Sequence, residues 1–242
     1  AEVPAARASV LCASPRLMGE TGPSMTNPKK RTAILISGRG SNMKSLVEAA
    51  RRPDYPAEIV VVISNRPDAP GIVWAKDQGI PALAMDHKLY ESRAHFEGQI
   101  QSVLMASRVD LVCLAGFMRL MTPAFVESWR DRMLNIHPAL LPAFKGLDTH
   151  ARALEAGVKF AGCTVHLVRP EMDEGPILGQ AAVPVLPDDT AVTLGERVLA
   201  AEHLLYPRIL ELFAAGLITV NGNKSSIVSD VNGLWAQFSP QI

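Results

Sequence analysis

Thr32-Ala33-Ile34-Leu35-Ile36-Ser37-Gly38-Arg39-Gly40-Ser41-Asn42 sets the architecture of the chain. An apolar strand, Thr32–Ser37, runs into two glycines one residue apart. A helix over Asn42–Arg51 follows at once. Free backbone N–H groups at a helix N-terminus attract an anion, and the missing side chains of Gly38 and Gly40 let one approach. A strand, a tight glycine turn and a helix form the first half of a βαβ unit.

The alternation continues outward. Glu58–Ser64 is a β-branched strand, Ala69–Gln78 a helix and Pro81–Met85 a strand. Tyr90–Ser107 is a longer amphipathic helix with Phe96, Ile100, Val103 and Leu104 at helical spacing. Val109–Ala115 is a nearly continuous apolar strand of the kind buried on both faces. Pro123–Trp129 reads as a short helix and Met133–Ile136 as another strand. Strands alternating with helices predict an α/β fold: right-handed βαβ units in a mostly parallel sheet flanked by helices. The second half changes character. After a helix at Thr149–Ala156, Gly162–Val168 and Ile177–Val185 read as antiparallel strands joined by the Pro170–Pro176 loop. Thr190–Ala215 is a long helix stopped by Gly216.

This places a single domain at 29–220. Residues 1–28, rich in Ala, Pro, Ser and Gly, read as a poorly ordered extension, with Met25 as a possible start of translation. Residues 221–242 read as a polar tail with one apolar anchor at Leu234-Trp235.

Lys+Arg and Asp+Glu are 24 each among 242 residues, so the net charge is zero. That argues against a nucleic-acid binder built on a basic face. Cys12, Cys113 and Cys163 are unclustered, form no zinc pattern and suggest a reducing, cytoplasmic compartment. No apolar run approaches the roughly 20 residues that span a bilayer, and no secretory signal pattern opens the chain.

The glycine turn admits three readings. A dinucleotide fingerprint needs a third glycine where Met43 stands and an acid closing the second strand, which ends Ser64-Asn65-Arg66. Arg66 would suit a 2′-phosphate, so an NADP site stays open. The second reading is a grip for the phosphate of a monophosphorylated substrate. The third is a plain strand–helix turn with a Ser/Asn cap.

Leu134-Asn135-Ile136-His137-Pro138 carries the chemistry, with Asp173 in Glu171-Met172-Asp173-Glu174-Gly175 downstream. Side chains alternate faces in an extended segment, so Asn135 and His137 point the same way. A carboxamide N–H and a protonated imidazole both donate to an oxyanion, and a carboxylate holds such an imidazole in place. Together they fit acyl-type transfer through a tetrahedral intermediate with no Ser or Cys nucleophile. Taken singly, each has a plain structural reading: a strand-end amide, a satisfied histidine, an Asx turn. Their place past the carboxyl end of a parallel strand, at the same edge as the glycine turn, is where open α/β sheets bind ligands. His87, His95, His150, His166 and His203 show no metal-ligand spacing, so no metal is expected. No G-x-S-x-G elbow is present.

Residues 32–219 resemble the phosphoribosylglycinamide formyltransferases of purine biosynthesis. The resemblance rests on LISGRGSN (35–42), LAGFMRLMTPAFV (114–126), LNIHPALLPAFKGLDTHARALEAG (134–157), TVHLVRPEMDEGPIL (164–178) and AEHLLYP (201–207). It implies a Rossmann-like formyltransferase fold and 10-formyltetrahydrofolate as co-substrate. Asn135, His137 and Asp173 would be catalytic. Gly40, Ser41 and Asn42 would hold the substrate phosphate, and Glu202 the ribose or glycinamide. Arg93, Met118, Arg119, Leu120, Met121 and Asn135 would contact the folate. The partners implied are small molecules only, in a monomer or homodimer. Without the resemblance, Arg93 and Glu202 read as solvated helix charges, and 118–121 as a loop packed into the core. Four rivals stand beside it. A formyltetrahydrofolate hydrolase would be expected to carry an N-terminal regulatory domain. A methionyl-tRNA formyltransferase would carry a C-terminal RNA-binding domain. The others are an NADP-dependent oxidoreductase and a non-catalytic nucleotide-binding module.

Overall fold

A computed structural model of the chain describes residues 28–227. In β1 (Lys30–Ile36) the apolar run alternates between two cores. Ala33 and Leu35 enter one, Ile34 and Ile36 the other. A strand buried on both faces belongs inside a parallel sheet, and β1 pairs in parallel with β2 (Ala57–Ser64) and β4 (Leu111–Leu114). The seven-stranded order is β3-β2-β1-β4-β5-β6-β7, with β3 at Ala82–Ala84, β5 at Met133–His137, β6 at Phe160–Leu167 and β7 at Ile177–Pro184. β1 to β5 run parallel, and β6 and β7 are added antiparallel. This is the sheet expected from the alternation of elements.

Helices cover both faces. α1 (Ser41–Ala50), α2 (Pro70–Asp77), α5 (Thr149–Glu155) and α6 (Ala191–Ala214) pack on the Ile34/Ile36 side. α3 (Arg93–Ala106) and α4 (Pro123–Ser128) pack on the other, through Phe96, Ile100, Leu104, Phe125 and Val126. The strand order turns at β1, which leaves a crevice between the β1 and β4 ends, the usual ligand position in open α/β sheets.

α6 is tied to this edge. The reciprocal pairing of Thr190 and Thr193 caps its start. The Tyr206 hydroxyl stands 3.2 Å from the Leu114 carbonyl and 3.0 Å from that of Leu134, bridging β4 and β5. Cys113 and Cys163 are buried, and burial pushes both thiols up to about 12, so both are inert.

The structure departs from the sequence reading in detail. α3 starts at Arg93 rather than Tyr90, because the Ser92 side chain accepts from the His95 amide and caps it. A 3₁₀ turn at His87–Leu89 precedes it. Residues 221–227, read as the start of a polar tail, are folded. β8 (Ile218–Asn221) and β9 (Lys224–Ile227) form a hairpin around Gly222, whose φ of 60° suits a two-residue loop. Ser225 Oγ donates to the Ile177 carbonyl at 2.5 Å and docks the hairpin on β7. The boundary drawn at 220 therefore falls inside a folded element. The extension before Pro28, Met25 and the Leu234-Trp235 anchor lie outside the described residues.

Candidate active site

β5 carries two polar side chains toward its carboxyl end. Leu134 and Ile136 turn into the core under α1 and α6, so Asn135 and His137 share the opposite face. Asn135 is cross-strand from His166 on β6. Its Nδ2 stands 3.1 Å from His166 Nε2, and His166 Nδ1 stands 3.1 Å from the Leu167 carbonyl. A carbonyl only accepts, so His166 Nδ1–H donates to it and Nε2 accepts from the amide. Burial lowers the His166 pKa, which keeps the ring neutral and fit for that role. One Asn135 N–H is thereby fixed on His166, and the second remains for a ligand oxygen.

His137 is held in the same way. Its Nε2 donates to the Phe144 carbonyl at 3.0 Å. That leaves Nδ1 to carry the exchangeable proton, and Nδ1 faces Asp173 Oδ1 at 3.4 Å with both side chains largely buried. Asp173 Oδ2 accepts from the Gly146 amide at 2.7 Å. Asp173 adopts a left-handed backbone, with φ of 53°. Two residues on, a Cβ at Gly175 would lie 2.2 Å from the Leu167 carbonyl, so only glycine lets the 170–176 loop fold back this tightly. The structure thus gathers Asn135, His137 and Asp173 into one cluster.

The glycine turn follows β1 at the same edge of the sheet. Gly40 is left-handed, with φ of 69°, and no side chain caps α1, so the first amides of the helix are not satisfied by a cap. Asn42 does something the motif alone does not suggest. Its Nδ2 donates to Glu202 Oε2 at 2.6 Å, and its Oδ1 has no partner. Glu202 is 5% exposed, which corrects its reading as a solvated helix charge. Burial raises its pKa, and the Asn42 bond opposes that.

The 117–122 loop is tethered at both ends. Met118 N donates to Ser37 Oγ at 2.8 Å. Thr122 N donates to Glu97 Oε1 at 2.8 Å, and the Thr122 hydroxyl to Glu97 Oε2. Between the tethers, Met118 is 71% and Leu120 57% exposed, while Met121 packs into the core beneath α3 and α4. Met121 is therefore a core residue in its side chain. Arg119 lies over the Phe96 ring at 5.6 Å. Arg93 is exposed at the start of α3 and touches none of the cluster.

A cavity of about 830 Å³ joins the glycine turn to Gly116, Met118 and Arg119 and extends over the ends of β2 and β3. Among the described residues no group of three His, Cys, Asp or Glu is placed to hold a metal. No described helix is long and apolar enough to cross a membrane. Sequence reasoning missed His166 and Glu97. It also missed His150, a partly buried ring whose pKa is lowered by burial and by His137 nearby.

The model of the formyl transferase family matches residues 30–210. The chain belongs to the formyl transferase family. The trifunctional purine biosynthetic protein adenosine-3 of Homo sapiens is 47% identical over 200 residues, 83% of this chain and 20% of that protein. The chain spans about a fifth of such trifunctional relatives. The phosphoribosylglycinamide formyltransferase of Haemophilus influenzae is 39% identical over 194 residues, 80% of this chain and 92% of that one. The crystal structure of glycinamide ribonucleotide transformylase 1 from Symbiobacterium toebii superposes with a TM-score of 0.82 at 45% identity, covering 88% of this chain and all of the other.

Proposed function

We propose that this formyl transferase moves the formyl group of 10-formyltetrahydrofolate to the amine of phosphoribosylglycinamide, giving formylglycinamide ribonucleotide and tetrahydrofolate. We place it in the cytoplasm, as a monomer or homodimer. The observation that carries this reading is the joint placement of Asn135, His137 and Asp173 at the sheet edge that also carries the uncapped glycine turn. The relatives' names support the same pair of substrates.

The acceptor phosphate takes the amides at Gly40, Ser41 and Asn42. The ribose or glycinamide meets Glu202, and the folate lies against the 118–121 loop with its tail toward Arg93. The glycinamide amine is the nucleophile and forms a C–N bond with the formyl carbon. The formyl oxygen gains the electron pair, and the free N–H of Asn135 and the Nδ1–H of His137 donate to it. When the oxygen re-forms its double bond, the bond to folate N10 breaks. The amine loses a proton, N10 gains one, and Asp173 beside Nδ1 relays the transfer, directly or through water.

Losing one preorganised oxyanion donor costs about 10²–10³ in rate. Asn135→Ala, His137→Ala and Asp173→Ala are each expected to fold and to lose turnover on that scale. Near-normal turnover in any one removes that residue from the mechanism.

A further inference from the structure

The cavity beside the glycine turn runs past the residues assigned to either substrate. Asn135, His137, Asp173 and Glu202 do not line it. An acceptor held on the turn, with its sugar at Glu202 and its amine near Asn135, extends toward α6 and β5. The opposite lobe, walled by Asn65–Asp68 after β2 and Asp86–Lys88 after β3, carries no residue assigned to the acceptor or to the folate.

That lobe is built from ordered polar groups. Asn65 is buried, accepts from Ser37 Oγ at 2.5 Å and meets His87 Nδ1 through its side chain and its carbonyl. Arg66 reaches Asp68 with two nitrogens at 3.3 Å. Asp86 accepts from the Lys88 amide at 3.0 Å. The Arg66 guanidinium holds the Asp68 carboxyl below its usual range, and both loops line the same opening. Asn42 lines the same cavity from the glycine-turn side.

In dinucleotide-binding α/β sheets, the nucleoside of a ligand whose phosphate rests on the first turn lies over the neighbouring strand ends. We propose that this lobe binds nucleoside 5′-monophosphates, phosphate on the glycine turn and nucleoside between residues 65–68 and 86–88, in competition with the acceptor. Asp68 and Asp86 accept from the ribose hydroxyls, and the planar Arg66 guanidinium offers a face to the base. The lobe keeps the cationic Arg66 of a dinucleotide site without its third glycine, because Met43 stands there. The competition rests on the acceptor reading above; the lobe itself does not.

The test compares adenosine 5′-monophosphate with ribose 5-phosphate, as inhibitors in the steady-state reaction and by calorimetric titration of the substrate-free protein. The monophosphate is expected to compete with the acceptor and to bind at least about tenfold tighter than ribose 5-phosphate. Arg66→Ala and Asp68→Ala are each expected to weaken it about tenfold and to leave the acceptor KM unchanged. The Arg66–Asp68 pair is exposed, so breaking it leaves the fold intact. Equal affinity for the two compounds, or indifference to both substitutions, overturns the proposal, because the phosphate grip alone then accounts for binding. Arg66-dependent nucleotide binding in a protein without transferase activity would keep the lobe and sink the acceptor reading.

Discussion

His166→Ala isolates how Asn135 is held. The amide donates one N–H to His166 Nε2 at 3.1 Å, and the ring is locked by its own bond to the Leu167 carbonyl. Without the ring, the carboxamide is free to turn about its last torsion, and its second N–H no longer points at one place. The bond lost is a neutral one, worth about 0.5–1.5 kcal/mol net. Complete loss of an oxyanion donor costs about 10²–10³ in rate. The variant therefore falls between wild type and Asn135→Ala, with kcat down about tenfold. KM for both substrates should change little, since the donor acts mainly in the transition state. Stopped-flow or steady-state turnover, well below the melting temperature, measures this. His166→Gln, whose carboxamide oxygen can accept from Asn135, should recover part of the loss. Because His166 acts through Asn135, the double variant Asn135→Ala/His166→Ala should be no slower than Asn135→Ala. A further tenfold loss in the Asn135→Ala background would refute this reasoning.

Glu202→Gln removes a buried charge while keeping the shape beside Asn42. The Glu202 pKa is raised in the folded protein, so its charge opposes folding once pH rises above the unfolded value of 4.5. The variant should melt higher than wild type at pH 7, and the gap should close as pH falls and the native carboxyl takes up its proton. Its acceptor KM should rise about tenfold; a lower melting temperature at pH 7 contradicts the sign. Glu97→Ala frees Thr122 and the end of the 117–122 loop. It should raise the KM for 10-formyltetrahydrofolate more than that for the acceptor and cost about 2–3 kcal/mol of stability in urea melts; equal effects on both KM values would show the tether to be only structural. Exhaustive chelation should leave turnover unchanged, and activity restored by an added divalent ion would contradict the expectation of no metal.

Asn135 and His137 were legible from the sequence because strand alternation alone puts residues two apart on one face. The parallel sheet was legible because Ile34, Ile36, Ala33 and Leu35 feed two cores from one short run. Asp173 was legible as a residue type but not as a position: its approach to His137 depends on a left-handed backbone and on Gly175 folding under the Leu167 carbonyl. His166 could not be found, because its role follows from the β5–β6 register, which pairs residues 31 apart. Glu202 was misread in bare sequence because a carboxylate on a long helix is usually solvated; α6 lies across α1 and buries it against Asn42. Glu97 escaped for the same reason. The β8–β9 hairpin was missed because its strands are short and polar, with only Gly222 to mark the turn.

The most direct test follows loss of 10-formyltetrahydrofolate by the full chain with and without phosphoribosylglycinamide. The account predicts turnover only when the ribonucleotide is present, with formylglycinamide ribonucleotide and tetrahydrofolate formed in equal amounts. Formyl loss at the same rate without the ribonucleotide would contradict it and make the chain a hydrolase.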